Sequence, residues 1–262
     1  MGRVARALIW HELSERTRDR WVLMVSILFA LLSMGVGLYG RGAGENAAAL
    51  IGPSLVTLAG LFVPLVALVL GHDAIVGERE RNTLGLLMSL PLGKGELVIG
   101  KFVGRILALA GAIALGLGAP MLLGGVAAVP LSLMFHTFLL GAAFLSLGIL
   151  ISSLVRGQIT AASLAISTWF IFVFFYDLGL MGLLIATDGA ISQNLVAWLV
   201  QLNPAGLFRI EMMTRFAGEE ALAGLGIQTG LPGLLVSCLI WSAWIVLPVV
   251  LGSITLFRRR VA

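Results

Sequence analysis

Long apolar runs alternate with short polar segments along the whole chain. Six runs cover about residues 21–39, 51–70, 102–126, 131–154, 159–186 and 234–257. A membrane-spanning helix needs about 20 mainly apolar residues, because the hydrocarbon core is ~30 Å thick and a helix rises 1.5 Å per residue. The pattern therefore predicts an all-α polytopic membrane protein with six transmembrane helices.

The composition excludes a soluble domain. Of the 262 residues, 59% are hydrophobic and only 11% are charged, whereas a soluble domain is about 25% charged. The single cysteine, Cys238, excludes an intrachain disulfide, and no Cys/His cluster suggests a metal or haem site. The net charge of +4 does not indicate nucleic-acid binding, because basic residues in a membrane protein mainly report its topology.

The basic residues lie mostly on one side of the predicted spans. All 17 Lys and Arg residues except Arg41, Arg209 and Arg215, that is 14, fall on the side of residues 1–20, 71–105, Arg156 and the tail 258–262. We call this the basic side. The positive-inside rule predicts that it faces the cytoplasm, with both termini, and that residues 187–231 form an extracytoplasmic loop.

Residues 1–20 are predicted to form a cytoplasmic helix at the membrane surface. Val4, Leu8, Ile9 and Leu13 would supply apolar contact, Glu12 and Arg16 could pair, and the arginines could reach lipid phosphates; these are Arg3, Arg6, Arg16, Arg18 and Arg20. In the third span, small residues four apart, such as Gly100 and Gly104, favour close packing within the bundle or against a second protomer.

Residues 71–101, the coupling loop, form the one long charged segment between apolar runs. The pattern predicts a helix from Asp73 to Leu90 that Pro91 ends. One buried face, suited to a groove on a partner protein, would be formed at i, i+3, i+4 and i+7 by Thr83, Leu86, Leu87 and Leu90, while residues 78–81 would remain in water.

The sequence offers little for catalysis. It contains no GxxxxGK[ST] phosphate loop and no serine-protease or paired-aspartate signature of an intramembrane protease, which predicts a non-enzymatic chain. Asp177 and Tyr176 lie near the outer end of the fifth span, where they would mark either a hydrogen-bonded interface position or a substrate route or gate. His136 and the pair Met212–Met213 could be packing residues or metal ligands.

The outer loop, residues 187–231, is predicted to contain two short helices. One covers about residues 191–202 and the second about residues 206–216, with a break at Asn203-Pro204. Together they would form a partly re-entrant gate or an external docking surface.

Several motifs of the coupling loop resemble ABC-2-type transporter permeases. They are DAIVGERE at 73–80, Asn82-Thr83-Leu84, SLPL at 89–92, Gly95-Glu96 and GKF at 100–102, and the resemblance extends through HEL and RDRW near the N-terminus to the six-span layout. Asn82 stands where the family usually has glycine. The segments DAIVGE, SLPLGKGELVIGKFVG, WFIFVFFYDLGL and LNPAGLFR also resemble the branch that serves maturation of the copper centre of nitrous oxide reductase.

The resemblance implies a homodimer in the inner membrane of a bacterium or archaeon. Two cytoplasmic ABC ATPases would bind the ATP, the chain itself would need no cofactor, and an external β-helical protein would be a further partner. The ATPase interface would comprise Asp73, Ile75, Glu78, Arg79, Glu80, Arg81, Thr83, Leu84, Leu87, Pro91 and Arg156. The external contact would comprise Asn203, Pro204, Phe208, Arg209, Met212 and Met213.

The function implied is export, or mechanical transmission, with a sulfur-containing cargo for the copper–sulfide centre. Two alternatives stay open. One is an ABC-2 exporter of a lipid, glycan or drug, and the other is a transmitter that acts on an external protein without moving cargo.

Overall fold

The structure, a computed structural model, describes residues 3–42, 47–89, 93–124, 131–224 and 233–258. Its elements are α1 (Arg3–Thr17), α2 (Arg20–Gly42), α3 (Ala47–Gly71), α4 (Val76–Glu80), α5 (Leu84–Ser89), α6 (Lys94–Gly124), α7 (Leu131–Leu154) and α8 (Gln158–Phe170). A π-helical segment (Ile171–Phe175) leads into α9 (Tyr176–Ala186), and α10 (Gln193–Leu202), α11 (Pro204–Gly224) and α12 (Leu234–Arg258) follow.

Six helical units in the described part of the chain are long and apolar enough to cross a bilayer: α2, α3, α6, α7, the continuous unit α8–α9, and α12. The predicted all-α, six-span fold is therefore confirmed. In α3, α6 and α7, 56–67% of the most apolar 18-residue stretch of the helix is buried inside the protein, whereas none of the corresponding stretch of the α8–α9 unit is buried. The three central helices thus form the core, and the fifth span lies at its edge.

The core helices α3 and α7 meet without side chains between them. A Cβ on Gly148 would lie 2.9 Å from the Cα of Gly71 and 3.2 Å from the carbonyl oxygen of Leu68. Small residues of this kind allow helix backbones to touch. Since Gly71 is the last residue of α3, this contact fixes the point where the chain leaves the bundle and enters the coupling loop.

Helix α1 lies along the first turns of α6. Leu8 covers Gly100, and Glu12 covers Gly104, where a Cβ would lie 2.5 Å from the Cβ of Glu12 and 2.9 Å from the carbonyl oxygen of Ile9. The expected close packing at these glycines is thus found within the chain. Leu8 is buried against protein, while Trp10 on the other face is 72% exposed, so only that other face is available for the predicted membrane contact.

Helices α10 and α11 form a hairpin that enters the transmembrane region, and we call it the re-entrant hairpin. At its turn, Asn203 Nδ2 donates to the carbonyl of Phe172 at 2.8 Å, and Trp244 Nε1 donates to the carbonyl of Leu202 at 2.9 Å. Phe172 and Trp244 lie near the middle of spans 158–186 and 234–256. The turn therefore reaches about half the depth of the bundle, as the sequence predicted for a re-entrant segment.

Local chemistry explains why the hairpin turns at this point. Asn203 Oδ1 accepts the N–H of Ala205 at 3.0 Å, which satisfies one of the free donors at the start of α11. Pro204 occupies the first position of that helix, where its missing N–H costs nothing. The Asn-Pro pair thus both ends α10 and begins α11.

Candidate coupling site and re-entrant hairpin

Six charged side chains are buried together where α1, the coupling loop and α6 meet. Each of these residues is at most 9% exposed as a whole, and the set contains three acids and three bases: Glu12, Arg16, Asp73, Glu78, Lys101 and Arg105. We call this set the charge network. Because its formal charges cancel, it can be buried without a net ion in the interior.

Lys101 and Arg105, one helical turn apart on α6, are the centre of the network. Lys101 Nζ donates to Glu78 Oε1 at 2.9 Å and also to Glu12. Arg105 Nε donates to Glu12 Oε2 at 3.0 Å, while its Nη1 contacts Asp73 Oδ1 at 2.5 Å and the carbonyl of Leu70. The two cations therefore connect α6 to α1 and to both ends of the turn that follows α3.

Arg16 completes the network from α1. Its Nη1 lies 2.9 Å from Asp73 Oδ2, and it also pairs with Glu15 and Asp19. The predicted availability of Arg16 for lipid phosphates is therefore wrong, and its main partner is Asp73 rather than Glu12. Burial alone would raise the pKa of Glu12, but the charges of Arg105, Lys101 and Arg16 outweigh this effect and lower that pKa.

The coupling loop is not the single helix that the sequence predicted. It contains the short helices α4 and α5, with a turn between them at which Asn82 has φ +57°. This left-handed conformation interrupts a helix, and asparagine tolerates it better than most residues other than glycine. The Thr83 hydroxyl donates to the Glu78 side chain across the turn. Of the predicted apolar face, Thr83 directly precedes α5, Leu86 and Leu87 lie on α5, and Leu90 lies outside the described residues.

The structure separates the predicted ATPase-contact residues into two groups. Asp73, Ile75, Glu78 and Leu84 are buried, so the predictions that they face a partner, and that Glu78 remains in water, are wrong. Glu80, Arg81 and Arg156 are exposed, and Arg79, Thr83 and Leu87 are partly exposed. For these six residues partner contact stays a prediction, and Pro91 lies outside the described residues.

The coupling loop also contacts the turn between α7 and α8, which carries Arg156. Ser152 Oγ accepts the N–H groups of Ile75 and Val76 at 2.9 and 3.0 Å. Arg79 Nη1 donates to the carbonyl of Val155 at 2.9 Å, and Glu80 Oε1 accepts the N–H of Gln158 at 2.6 Å. The turn that carries Arg156 therefore lies beside α4, and contact of Arg156 with an ATPase stays a prediction.

Tyr176 and Asp177 both contact the re-entrant hairpin. The Tyr176 hydroxyl donates to the carbonyl of Leu199 on α10 at 2.5 Å, and Asp177 forms an ion pair with Arg209 on α11. The two side chains of that ion pair are 35% and 39% exposed. The structure thus gives both residues a structural partner, while a role on a substrate route stays a prediction.

Most of the residues proposed for external contact lie inside the bundle. Asn203, Pro204, Phe208 and Met212 are buried, so the prediction that they touch an outer partner is wrong for this structure. Arg209 and Met213 are partly exposed. The exposed apolar surface of the hairpin is instead on α10, where Leu195 and Trp198 are each 50% exposed.

The hairpin also contains a buried acid, Glu211, that was not among the predicted site residues. Glu211 on α11 accepts from Trp241 Nε1 at 3.2 Å and from the Ser237 hydroxyl, and it lies 3.4 Å from His136 Nε2. These partners belong to α12 and α7. His136 on α7 thus contacts the Glu211 carboxylate on α11. Through these three partners, Glu211 holds α11 against the bundle.

The sequence did contain a signal for the charge network. Glu12 and Arg16 follow the buried Leu8 at spacings of four residues, and Lys101 and Arg105 have the same spacing in a span that is otherwise apolar. Such spacing places each pair on one helix face. Charges at the start of a span are common flanking residues, however, and the partners lie more than 20 residues apart in sequence, so pattern alone did not connect them.

We expect Lys101→Met to lower the free energy of unfolding by about 3–5 kcal/mol, because it leaves two buried carboxylates without their shared cation. Thermal unfolding in detergent, followed by tryptophan fluorescence, measures the effect. Arg81→Met is the matched control, since Arg81 is half exposed and exposed ion pairs contribute at most about 1 kcal/mol. In the double variant Glu12→Gln/Lys101→Met, part of the loss should be recovered. Equal losses in the two single variants would contradict the structural importance of the network.

Comparison with known proteins agrees with this architecture. Residues 6–261 match the model of the ABC-2 family transporter proteins. The chain is 38% identical to a protein named probable ABC transporter permease protein NosY from Stutzerimonas stutzeri. The similarity extends over 267 residues, which is 95% of this chain and 96% of the relative. A protein of the same name from Pseudomonas aeruginosa is also 38% identical, over 268 residues, with the same coverage. The chain therefore belongs to the ABC-2 family of transporter permeases, the membrane subunits of ABC transporters.

Proposed function

We propose that this permease couples ATP hydrolysis by a cytoplasmic ABC ATPase to assembly of the copper–sulfide centre of nitrous oxide reductase. The observation that carries the proposal is the similarity to relatives named NosY, which extends over 95% of the chain and includes the coupling loop and the hairpin. The step would be export of a sulfur-containing cargo, or mechanical transmission to an external β-helical protein of the NosD type.

The ATPase would bind the exposed surface of α4 and α5. Leu86 is 70% exposed there, next to Arg81, Asn82 and Gly85, which are also exposed. An apolar side chain with polar neighbours is the usual composition of an interface centre and its rim. A permease of this family works with an ATPase partner and as a dimer, so two copies of the surface would each receive one ATPase, which would bind the ATP.

The basic side of the molecule would face the cytoplasm. The distribution of Lys and Arg supports this orientation, and the charge network lies on the same side as the proposed ATPase surface. The re-entrant hairpin would then open towards the outside, where an external partner would bind.

Transmission without cargo is favoured by one structural observation. Contacts run without a gap from the coupling loop, through Glu80 and the fifth span, to Asn203 at the hairpin turn. A displacement on one side could therefore reach the other side through protein alone. Export of cargo by the same molecule would require a path that opens beside these contacts.

Replacing Leu86 by Asp should release the ATPase. A charge placed in a desolvated apolar contact weakens binding by at least about tenfold. Co-purification of the cognate ATPase with the full permease in detergent measures this. Thr17→Asp, an exposed change on the same side of the molecule but on α1, should leave binding intact. Unchanged recovery of the ATPase with Leu86→Asp would refute docking at α5.

Topology can be tested in a Cys238→Ser background with single cysteines at exposed positions on the two sides. A membrane-impermeant maleimide applied to intact cells should label Ala190→Cys and leave Arg81→Cys unlabelled until the cells are opened. The reverse pattern would show that the basic side faces outward.

The assembly role can be tested by replacing the Pseudomonas aeruginosa relative with this chain and its cognate ATPase. We expect nitrous oxide reduction, and copper and sulfide in the purified reductase, to be retained. A reductase that lacks its copper–sulfide centre, although permease and ATPase co-purify, would instead favour an exporter of a lipid, glycan or drug. Accumulation of radiolabelled sulfur in sealed inverted vesicles separates cargo export from transmission.

A further inference from the structure

The fifth span begins at a bond to the coupling loop. Gly157, the residue before α8, has no side chain to cap the helix, and Glu80 Oε1 instead accepts the N–H of Gln158 at 2.6 Å. A carboxylate at a helix N-terminus satisfies a free donor and is attracted by the helix dipole. Glu80 therefore holds the end of α8 although the two residues are 78 positions apart.

The inner half of this span rests on the bundle, and its outer half does not. Ala161 and Ala165 are buried, whereas no residue from Ile166 to Ala186 is. Trp169 Nε1 donates to the carbonyl of Leu61, and the ring of Phe172 contacts Phe144 and Trp244. Beyond Phe172, all interhelical hydrogen bonds and ion pairs found among the described residues go to the re-entrant hairpin. We call the unit 158–186 the lever helix.

The π-helical segment provides the innermost of these hairpin contacts. In a regular α-helix the N–H of Tyr176 would bond to the carbonyl of Phe172, but here it bonds to that of Ile171. The Phe172 carbonyl accepts Asn203 Nδ2 instead, at 2.8 Å. Asn203 is 1% exposed, and its other amide atom caps α11. One side chain therefore joins the lever helix to the hairpin turn at mid-depth.

The two arms of the hairpin are held by different parts of the protein. On α10, the Leu199 carbonyl accepts from Tyr176 of the lever helix. On α11, the buried Glu211 binds Ser237 and Trp241 of α12 and lies beside His136 of α7. The Arg209–Asp177 pair is partly exposed, and such pairs are weak. Helix α11 is thus fixed to the bundle, whereas α10 is bonded to the lever helix at Leu199 and to α12 only at its last residue, Leu202.

We propose that Glu80 and Asn203 are positioning residues of the transport cycle, through which the lever helix moves α10 when the ATPase displaces the coupling loop. The lever helix rocks on the small side chains of Ala161 and Ala165, and α10 turns about the Asn203–Pro204 junction while Glu211 keeps α11 in place. This inference rests on the proposed docking of the ATPase at the coupling loop.

The movement of α10 can be measured in the complete permease–ATPase complex with Cys238→Ser and Leu195→Cys. The ratio of maleimide labelling rates with ATP plus vanadate and without nucleotide reports it. We expect this ratio to differ from one in the parent protein. In Glu80→Ala the ATP-dependent change in labelling rate should be about fivefold smaller, the factor that corresponds to the loss of one ordinary hydrogen bond. Glu80→Gln, which retains an acceptor for the Gln158 N–H, should behave like the parent.

A matched pair tests the other end of the lever helix. Asn203→Leu removes the bond to Phe172, whereas Trp244→Phe removes a bond to the same hairpin turn from α12, outside the lever helix. The first should abolish the ATP-dependent change, and the second should retain it. Tyr176→Phe, which deletes one hydroxyl, should also reduce the change and serves if Asn203→Leu does not fold.

Either of two labelling results would overturn the inference while leaving the proposed function intact: an unchanged labelling ratio in Glu80→Ala, or a parent in which ATP alters no labelling at position 195. Release of the ATPase by Glu80→Ala would also overturn it, because Glu80 would then be a docking residue. Failure of the parent permease to co-purify with its ATPase would instead refute the proposed function itself.

Discussion

Burial of the charge network is the constraint on which the rest of the structure depends. An isolated ion in a protein interior carries a large desolvation cost, and only close partners and further hydrogen bonds offset it. Lys101 and Arg105 are fully buried, so α6 cannot occupy its place unless Glu12, Asp73 and Glu78 arrive with it. Replacing one member therefore affects three segments that are distant in sequence.

This interdependence makes α1, the first part of the coupling loop and the start of α6 one mechanical unit. The glycines beneath α1 bring the helices into contact, and the ion pairs fix their register. The unit leaves α5 and one edge of α4 exposed. A partner that binds there would act on this unit as a whole, and Glu80 links the unit to the first residue of the fifth span.

The sequence predicted the features that arise from local patterns. Six spans and a re-entrant pair of helices follow from hydropathy, and the break at Asn203-Pro204 follows from the chemistry of those two residues. It did not predict that Asp73 and Glu78 are buried, because their charges suggest solvent until Lys101 and Arg105 are placed opposite them. The break at Asn82 was missed because the residue types before it do not end a helix, while its left-handed backbone is visible only in the structure.

The π-helical segment has a consequence for the length of the fifth span. At 29 residues this span is longer than the approximately 20 that a bilayer requires, so membrane thickness alone would tolerate a shorter one. A π-helical turn holds one residue more than the α-helical turn it replaces, so the helix beyond it keeps its direction and register. Removing one residue between Ile171 and Phe175 would therefore give a regular α-helix in which Tyr176 and Asp177 still face Leu199 and Arg209. The Phe172 carbonyl would then accept a backbone N–H of its own helix, and Asn203 would lose its acceptor. The extra residue of this helix is therefore explained by the bond to the hairpin rather than by the thickness of the lipid around it.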